Sequence, residues 1–134
     1  MENKIIIDGK NAILGRLASF AAKQAMLGKR VIVVNCKEVV ITGKPRSVIN
    51  QYKKARELGG ASLQGPFFPK FPERIVKRTI RGMLAHKKLR GKTSLKRIRC
   101  YNEIPAEFEN VKKLVAGKEK KIKTIKLGEL SKEI

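Results

Sequence analysis

The chain of 134 residues is long enough for one hydrophobic core, and 42% apolar residues suffice to fill it. Its charge is far from balanced: 32 Lys and Arg against 11 Asp and Glu give a net charge of +21, a field that opposes compaction unless a polyanion neutralises it. No apolar run nears the roughly 20 residues needed to span a bilayer. The start Met1-Glu2-Asn3-Lys4 also lacks the features of a secretion signal, so no membrane partner is expected and the cytoplasm is the expected compartment.

Ile5-Ile6-Ile7 is a short β-branched run closed by Asp8-Gly9, which reads as a buried strand and a turn. Leu14, Leu17, Ala18, Ala21 and Ala25 then recur at helical spacing, and Gly28 stands where a left-handed residue would end that helix. Val31-Ile32-Val33-Val34 is apolar on both faces, as parallel strands covered on two sides are. Strand, helix and strand in about thirty residues make a βαβ unit.

Val39-Val40-Ile41 fits a third strand, and Pro45 opens a helix whose apolar face is Val48, Ile49, Tyr52 and Ala55. A loop rich in Gly and Pro follows, from Gly59 to Pro72; Phe67, Phe68 and Phe71 within it suggest that it is pinned rather than free. A second strongly patterned helix is predicted from Glu73 to about Ala85, with Val76, Ile80, Met83 and Leu84 as its apolar stripe. After a basic link, Thr93-Ser94-Leu95 reads as a short helical turn and Ile98 to Tyr101 as the last strand. Beyond Glu107 charges of both signs mix, and Leu127 and Leu130 fit one short terminal helix.

The charge is concentrated in the middle of the chain. Residues 43–101 hold seventeen basic side chains against Glu57 and Glu73, whereas 1–42 hold seven against three and 102–134 hold eight against six. No acid follows Glu73 until Glu103. Like charges three and four apart on a helix cost about 0.2–0.5 kcal/mol per pair, so a face this one-sided makes physical sense against phosphates. Arginine can clasp phosphate oxygens in two places, and lysine supplies a movable point charge.

Candidate chemistry is thin. Gly9 to Gly15 follows a strand and opens a helix, but a phosphate loop needs four residues between its glycines and then Lys-Ser/Thr; here there are five, followed by Arg16-Leu17. Gly91-Lys92-Thr93 has the right ending, but His86 stands where the first glycine belongs. One histidine, His86, and one aspartate, Asp8, leave no acid–base pair, no metal set and no nucleotide cofactor to expect. Cys36 and Cys100, 64 residues apart, read as small apolar side chains at strand ends, reduced in the cytosol. A polyanion-binding protein without a small-molecule substrate is the reading left. Charge alone does not separate RNA from DNA, and no zinc-finger, zipper or aromatic RNA-recognition pattern is present.

The stretch Phe71-Pro72-Glu73-Arg74-Ile75-Val76-Lys77-Arg78-Thr79-Ile80-Arg81-Gly82-Met83-Leu84, with His86-Lys87-Lys88, Arg90-Gly91 and Arg99-Cys100-Tyr101 after it, resembles the universal large-subunit ribosomal protein L-thirteen family. Ile7-Asp8-Gly9, Leu14-Gly15-Arg16-Leu17-Ala18, Val33-Val34-Asn35-Cys36 and Ile41-Thr42-Gly43 agree in the same order, so the resemblance covers roughly residues 5 to 106. It implies a three-layer α/β/α fold with a small, mostly parallel four-stranded sheet of Rossmann-like topology. Residues 1–106 are then one RNA-binding domain and 107–134 a charged extension, as in the short archaeal-type form. It implies a non-catalytic ribosomal protein whose partners are large-subunit ribosomal RNA and neighbouring large-subunit ribosomal proteins. RNA contact maps onto Arg74, Lys77, Arg78, Arg81, His86, Lys87, Lys88, Arg90 and Lys92; Lys96 and Arg97 continue that run. Lys44, Arg46, Lys53 and Lys54 are added from charge and helix position. Ala85 stands where the family has proline, which would let the basic helix run on.

Overall fold

The computed structural model describes residues 4–57, 69–115, 117 and 122–134. The expected loop from Gly59 to Phe68 and the charged run 118–121 lie outside the described residues. In chain order the elements are β1 (Lys4–Asp8), α1 (Leu14–Met26), β2 (Arg30–Val34), β3 (Val40–Thr42), α2 (Pro45–Glu57), α3 (Pro72–Gly82), α4 (Leu89–Lys96), β4 (Ile98–Cys100), β5 (Leu114–Val115), β6 (Thr124–Lys126) and α5 (Leu127–Glu133). Short 3₁₀ turns occupy Cys36–Glu38 and Ala106–Phe108.

A four-stranded parallel sheet in the order β4-β2-β1-β5 forms the centre of this α/β fold. The β1-α1-β2 unit is as the periodicity predicts: β1 pairs with β2 from Lys4↔Arg30 to Asp8↔Val34. Gly28, at φ +92°, turns the chain out of α1. The alternation of side chains then divides the sheet into two faces. Ile7, Val31, Val33 and Ile98 face the main core with Leu17, Ala18, Ala21 and Ala25 of α1 and Ile75, Val76 and Ile80 of α3. The alanine face of α1 is what lets α3 and α4 pack closely over it. On the other face Ile6, Ile32 and Val34 are covered by Phe108, Tyr101 and Ile104, so among the described residues this layer is a thin one built around a 3₁₀ turn.

Three expectations change. The strand at Val39–Ile41 exists as β3, but it leaves the parallel sheet and pairs antiparallel with β6. The fourth strand of the main sheet is instead β5, so β4 is not the last strand. The expected terminal helix at Leu127 and Leu130 is not merely at the surface, since Ile125, Leu127 and Leu130 are all core residues. A two-residue strand and a Thr-Ile-Lys strand inside a lysine-rich stretch carry too little alternation to be read from sequence.

The basic helix also stops early, at Gly82 rather than Ala85. Met83 N–H donates to Ile80 O at 3.0 Å and Leu84 N–H to Arg81 O at 3.1 Å, the tight bonds of a closing turn. Met83 is therefore 44% exposed, and the buried stripe is Ile75, Val76, Ile80 and Leu84. The turn is locked from α4: a Cβ on Gly91 would lie 1.8 Å from Ala85 O. That close approach extends the expected helical turn at Thr93 into the full α4.

Cys36 is fully buried just after β2, and β4 brings Cys100 beside it; both are free thiols. The hydrogen bond with Cys100, and then burial, raise the Cys36 pKa far above its usual range.

Leu130→Ala should destabilise the domain by about 2–5 kcal/mol in denaturant unfolding, where a dispensable tail would show no change. Gly91→Ala should lower the melting temperature sharply and disorder the 83–88 turn, seen as faster amide exchange there. In the folded protein iodoacetamide should label Cys100 well before Cys36 at neutral pH, as mass spectrometry would show; equal rates would contradict the buried, protonated thiol.

Candidate nucleic-acid interface

α3 is anchored at both ends. Pro72 sits at its first position, where no backbone donor is lost. Glu73 N–H donates to Asn102 Oδ1 at 3.1 Å, a cap supplied from the segment after β4. With Ile75, Val76 and Ile80 buried, the helix must turn Arg74, Lys77, Arg78 and Arg81 toward the surface.

These cations fall into two adjoining hollows. Arg78 and Arg81 line a cavity of about 370 Å³ with Thr79, Gly82 and His86. The early end of α3 places His86 there, because the chain doubles back over the last turn instead of extending. His86 Nδ1 is buried with no hydrogen-bond partner among the described residues. Arg74 and Lys77 border a second hollow of about 290 Å³ with Glu73, Arg99, Cys100 and Tyr101. The Arg74 guanidinium also lies 5.9 Å from the centre of the Phe71 ring, which is itself 54% exposed.

Lys87 and Lys88 are exposed on the turn, and Arg90, Lys92 and Lys96 on α4. Arg90 borders a smaller apolar hollow with Met26 and Leu84. Arg97 is half-buried, and its Nη1 donates to Ala25 O at 2.9 Å. One donor of that side chain therefore holds the last turn of α1, where a cation also suits the helix dipole. Lys44, Arg46, Lys53 and Lys54 are exposed on and just before α2. That helix packs beside β6, and the cavities lined by the α3 cations include none of these four residues.

Arg99 was not singled out from the sequence as a contact. Its signal is period two: Ile98 and Cys100 pack toward the helices, so Arg99 must project from the opposite face of β4. Lys4 and Arg30, paired at the starts of β1 and β2, follow the same rule with Ile6 and Ile32.

The turn between β1 and α1 is packed against the rest of the protein. A Cβ on Gly9 would lie 2.7 Å from Val39 Cγ2 and 3.0 Å from Val34 O, so protein occupies the space a phosphate would need. Asp8 accepts hydrogen bonds from Lys10 N–H at 3.0 Å and Asn35 Nδ2 at 2.9 Å, the work of a turn residue. At the same end of the sheet Lys37 and Glu103 pair at 2.7 Å, which pulls the Glu103 carboxyl below its ordinary pKa, and Lys126 pairs with Glu38 at 2.9 Å. Among the described residues no group of three His, Cys, Asp or Glu could hold a metal ion.

Comparison with known proteins agrees with this arrangement. The family model for ribosomal protein L13 matches residues 2–107. The large ribosomal subunit protein uL13 of Methanosarcina barkeri is 38% identical over 96% of this chain and 96% of its own. That of Archaeoglobus fulgidus is 40% identical over 95% of this chain and 85% of its own. That of Haloarcula marismortui is 39% identical over 97% and 90%. All three sources are archaea, as the short form suggests. The cationic α3 and these matches over most of the chain converge: the chain belongs to the ribosomal protein L13 family, whose members are non-catalytic.

Proposed function

We propose that this chain is a structural constituent of the large ribosomal subunit. It binds large-subunit ribosomal RNA through the surface of α3, the 83–88 turn and α4, and supports subunit assembly beside neighbouring ribosomal proteins. The observation that carries this reading is the cavity shared by Arg78, Arg81 and His86, in a stretch with no carboxylate between Glu73 and Glu103. Two guanidinium groups around one hollow, with the His86 ring beside them, offer convergent donors to phosphate oxygens. Lys87, Lys88, Arg90 and Lys92 continue the field alongside. Such a surface recognises the shape and backbone of a folded RNA rather than its base sequence. Family membership supports the partner, since the relatives named above are large-subunit proteins.

The expected contact set has unequal parts. The α3 and 83–88 cations form its centre, Lys96 and Arg97 its margin, and Lys44, Arg46, Lys53 and Lys54 on and just before α2 would meet a separate RNA segment.

Arg78→Glu with Arg81→Glu should weaken binding to large-subunit RNA fragments at least about tenfold while circular dichroism stays native. The log–log salt slope of the unaltered chain should be about −0.7 to −0.9 per phosphate contacted, and shallower by roughly two contacts in the variant. Unchanged affinity would remove α3 from the interface. Duplex DNA competing as well as ribosomal RNA would favour a general compacting protein instead.

A further inference from the structure

On the thinly covered face of the sheet lies a groove of about 490 Å³ that the reading above does not use. Its charged lining is Lys4, Arg30, Lys96, Arg97 and Arg99 against Glu107 alone. The two rows of this face explain it. Lys4 and Arg30 form the register pair at the strand starts, and Arg99 stands beside Ile32 one row further on. Tyr101 and Phe108 close the groove, their ring centres 6.1 Å apart. Phe108 is buried and has Lys4 Nζ 4.8 Å from its ring centre, whereas Tyr101 is only half-buried.

Arg99 and Tyr101 also border the hollow that holds Arg74 and Lys77. The two cationic regions are therefore continuous around the β4 edge of the sheet. We propose that this groove binds an unpaired segment of RNA, whose backbone follows the cations around β4 while one base stacks on Tyr101. The proposal rests on the RNA-binding reading and extends it to a second face. Charge complementarity selects a polyanion. The aromatic floor and the bend around a strand edge select a single strand, because bases within a duplex stack on one another and are not offered to a side chain. A protein that holds folded RNA on α3 and an unpaired strand behind β4 fixes two elements of one RNA relative to each other.

The chain has two tyrosines and no tryptophan, so Tyr52→Phe leaves Tyr101 as the sole emitter. An oligouridylate of about eight nucleotides, within the range that aromatic single-strand sites span, is titrated into this full-length variant. Quenching of tyrosine emission is expected, and it should be lost when Arg30→Glu and Arg99→Glu are added. Arg16→Glu with Lys23→Glu on α1, an equal change in net charge on the opposite side of the sheet, should leave it in place. Tyr101→Leu, followed by fluorescence anisotropy of a labelled oligonucleotide, should weaken binding about tenfold, the loss of one base stack. Should the Arg30 and Arg99 reversal fail to fold, Arg99→Gln alone must shift the quench to higher oligonucleotide concentration.

The proposal is overturned by no quench, by a quench that survives the groove substitutions, by one equally sensitive to the α1 control, or by equal quenching with duplex RNA. The α3 surface is read separately, by affinity for ribosomal RNA fragments, so either site can fail without the other.

Discussion

Mutual repulsion among cations is the constraint on which the rest of this molecule depends. A net charge of +21 on 134 residues must be carried while a core closes. The fold meets this by keeping its centre free of charge. Among the described residues the fully buried large side chains are all Ile, Leu, Val and Cys, and the one buried polar residue, Ser94, spends its hydroxyl on Arg90 O at 2.9 Å. The alanines of α1 matter most here. Their small side chains let α3 approach the core with its whole apolar stripe, and the cations of α3 are then forced outward together.

How much of this was legible in the sequence follows from how strongly each segment repeats. β1, α1 and β2 were readable because a β-branched run, a helical period and a second apolar run stand in succession. The cationic face of α3 was readable for the same reason. Its end was not, because the stop at Gly82 depends on α4: Gly91 lies against Ala85, a contact no local pattern announces. β3 and β6 illustrate the same limit. Val40-Ile41-Thr42 looks like any short strand, and only its partner 84 residues onward decides that it leaves the parallel sheet. Cys36 and Cys100 were correctly placed at strand ends, but their meeting is a product of the β2–β4 register.

The candidate interface divides along the same line. A run without acids announces itself in composition, and Arg74 to Lys92 needed little more. Arg99, Lys4 and Arg30 are passed over because each borders or interrupts an apolar run, where a cation reads as the solvated end of a strand. Only the register shows Lys4 beside Arg30 and Arg99 beside Ile32, gathering three charges from separate strands on one face.

The position of the cations also sets the candidate interface apart from the usual ligand site of an α/β fold. In open parallel sheets the carboxyl ends of the strands normally frame a crevice for a ligand, with backbone N–H groups turned into it. In this chain the β1–α1 turn at that end is packed against protein, beside an open hollow of about 920 Å³ bordered by Lys37, Glu38, Glu103 and Lys126. Gly9 packs against Val39, Asp8 is held by Asn35, and the Lys37–Glu103 and Lys126–Glu38 pairs neutralise the charges around it. The uncompensated charge is displaced to the flank formed by α3 and α4 and to the β4 edge, surfaces that are broad and shallow rather than enclosed. A broad shallow surface cannot exclude water from a reacting bond, but it can offer many donors to an extended backbone at once. The parallel sheet that could have framed a nucleotide pocket instead supplies a rigid plate, with surplus cations along its side.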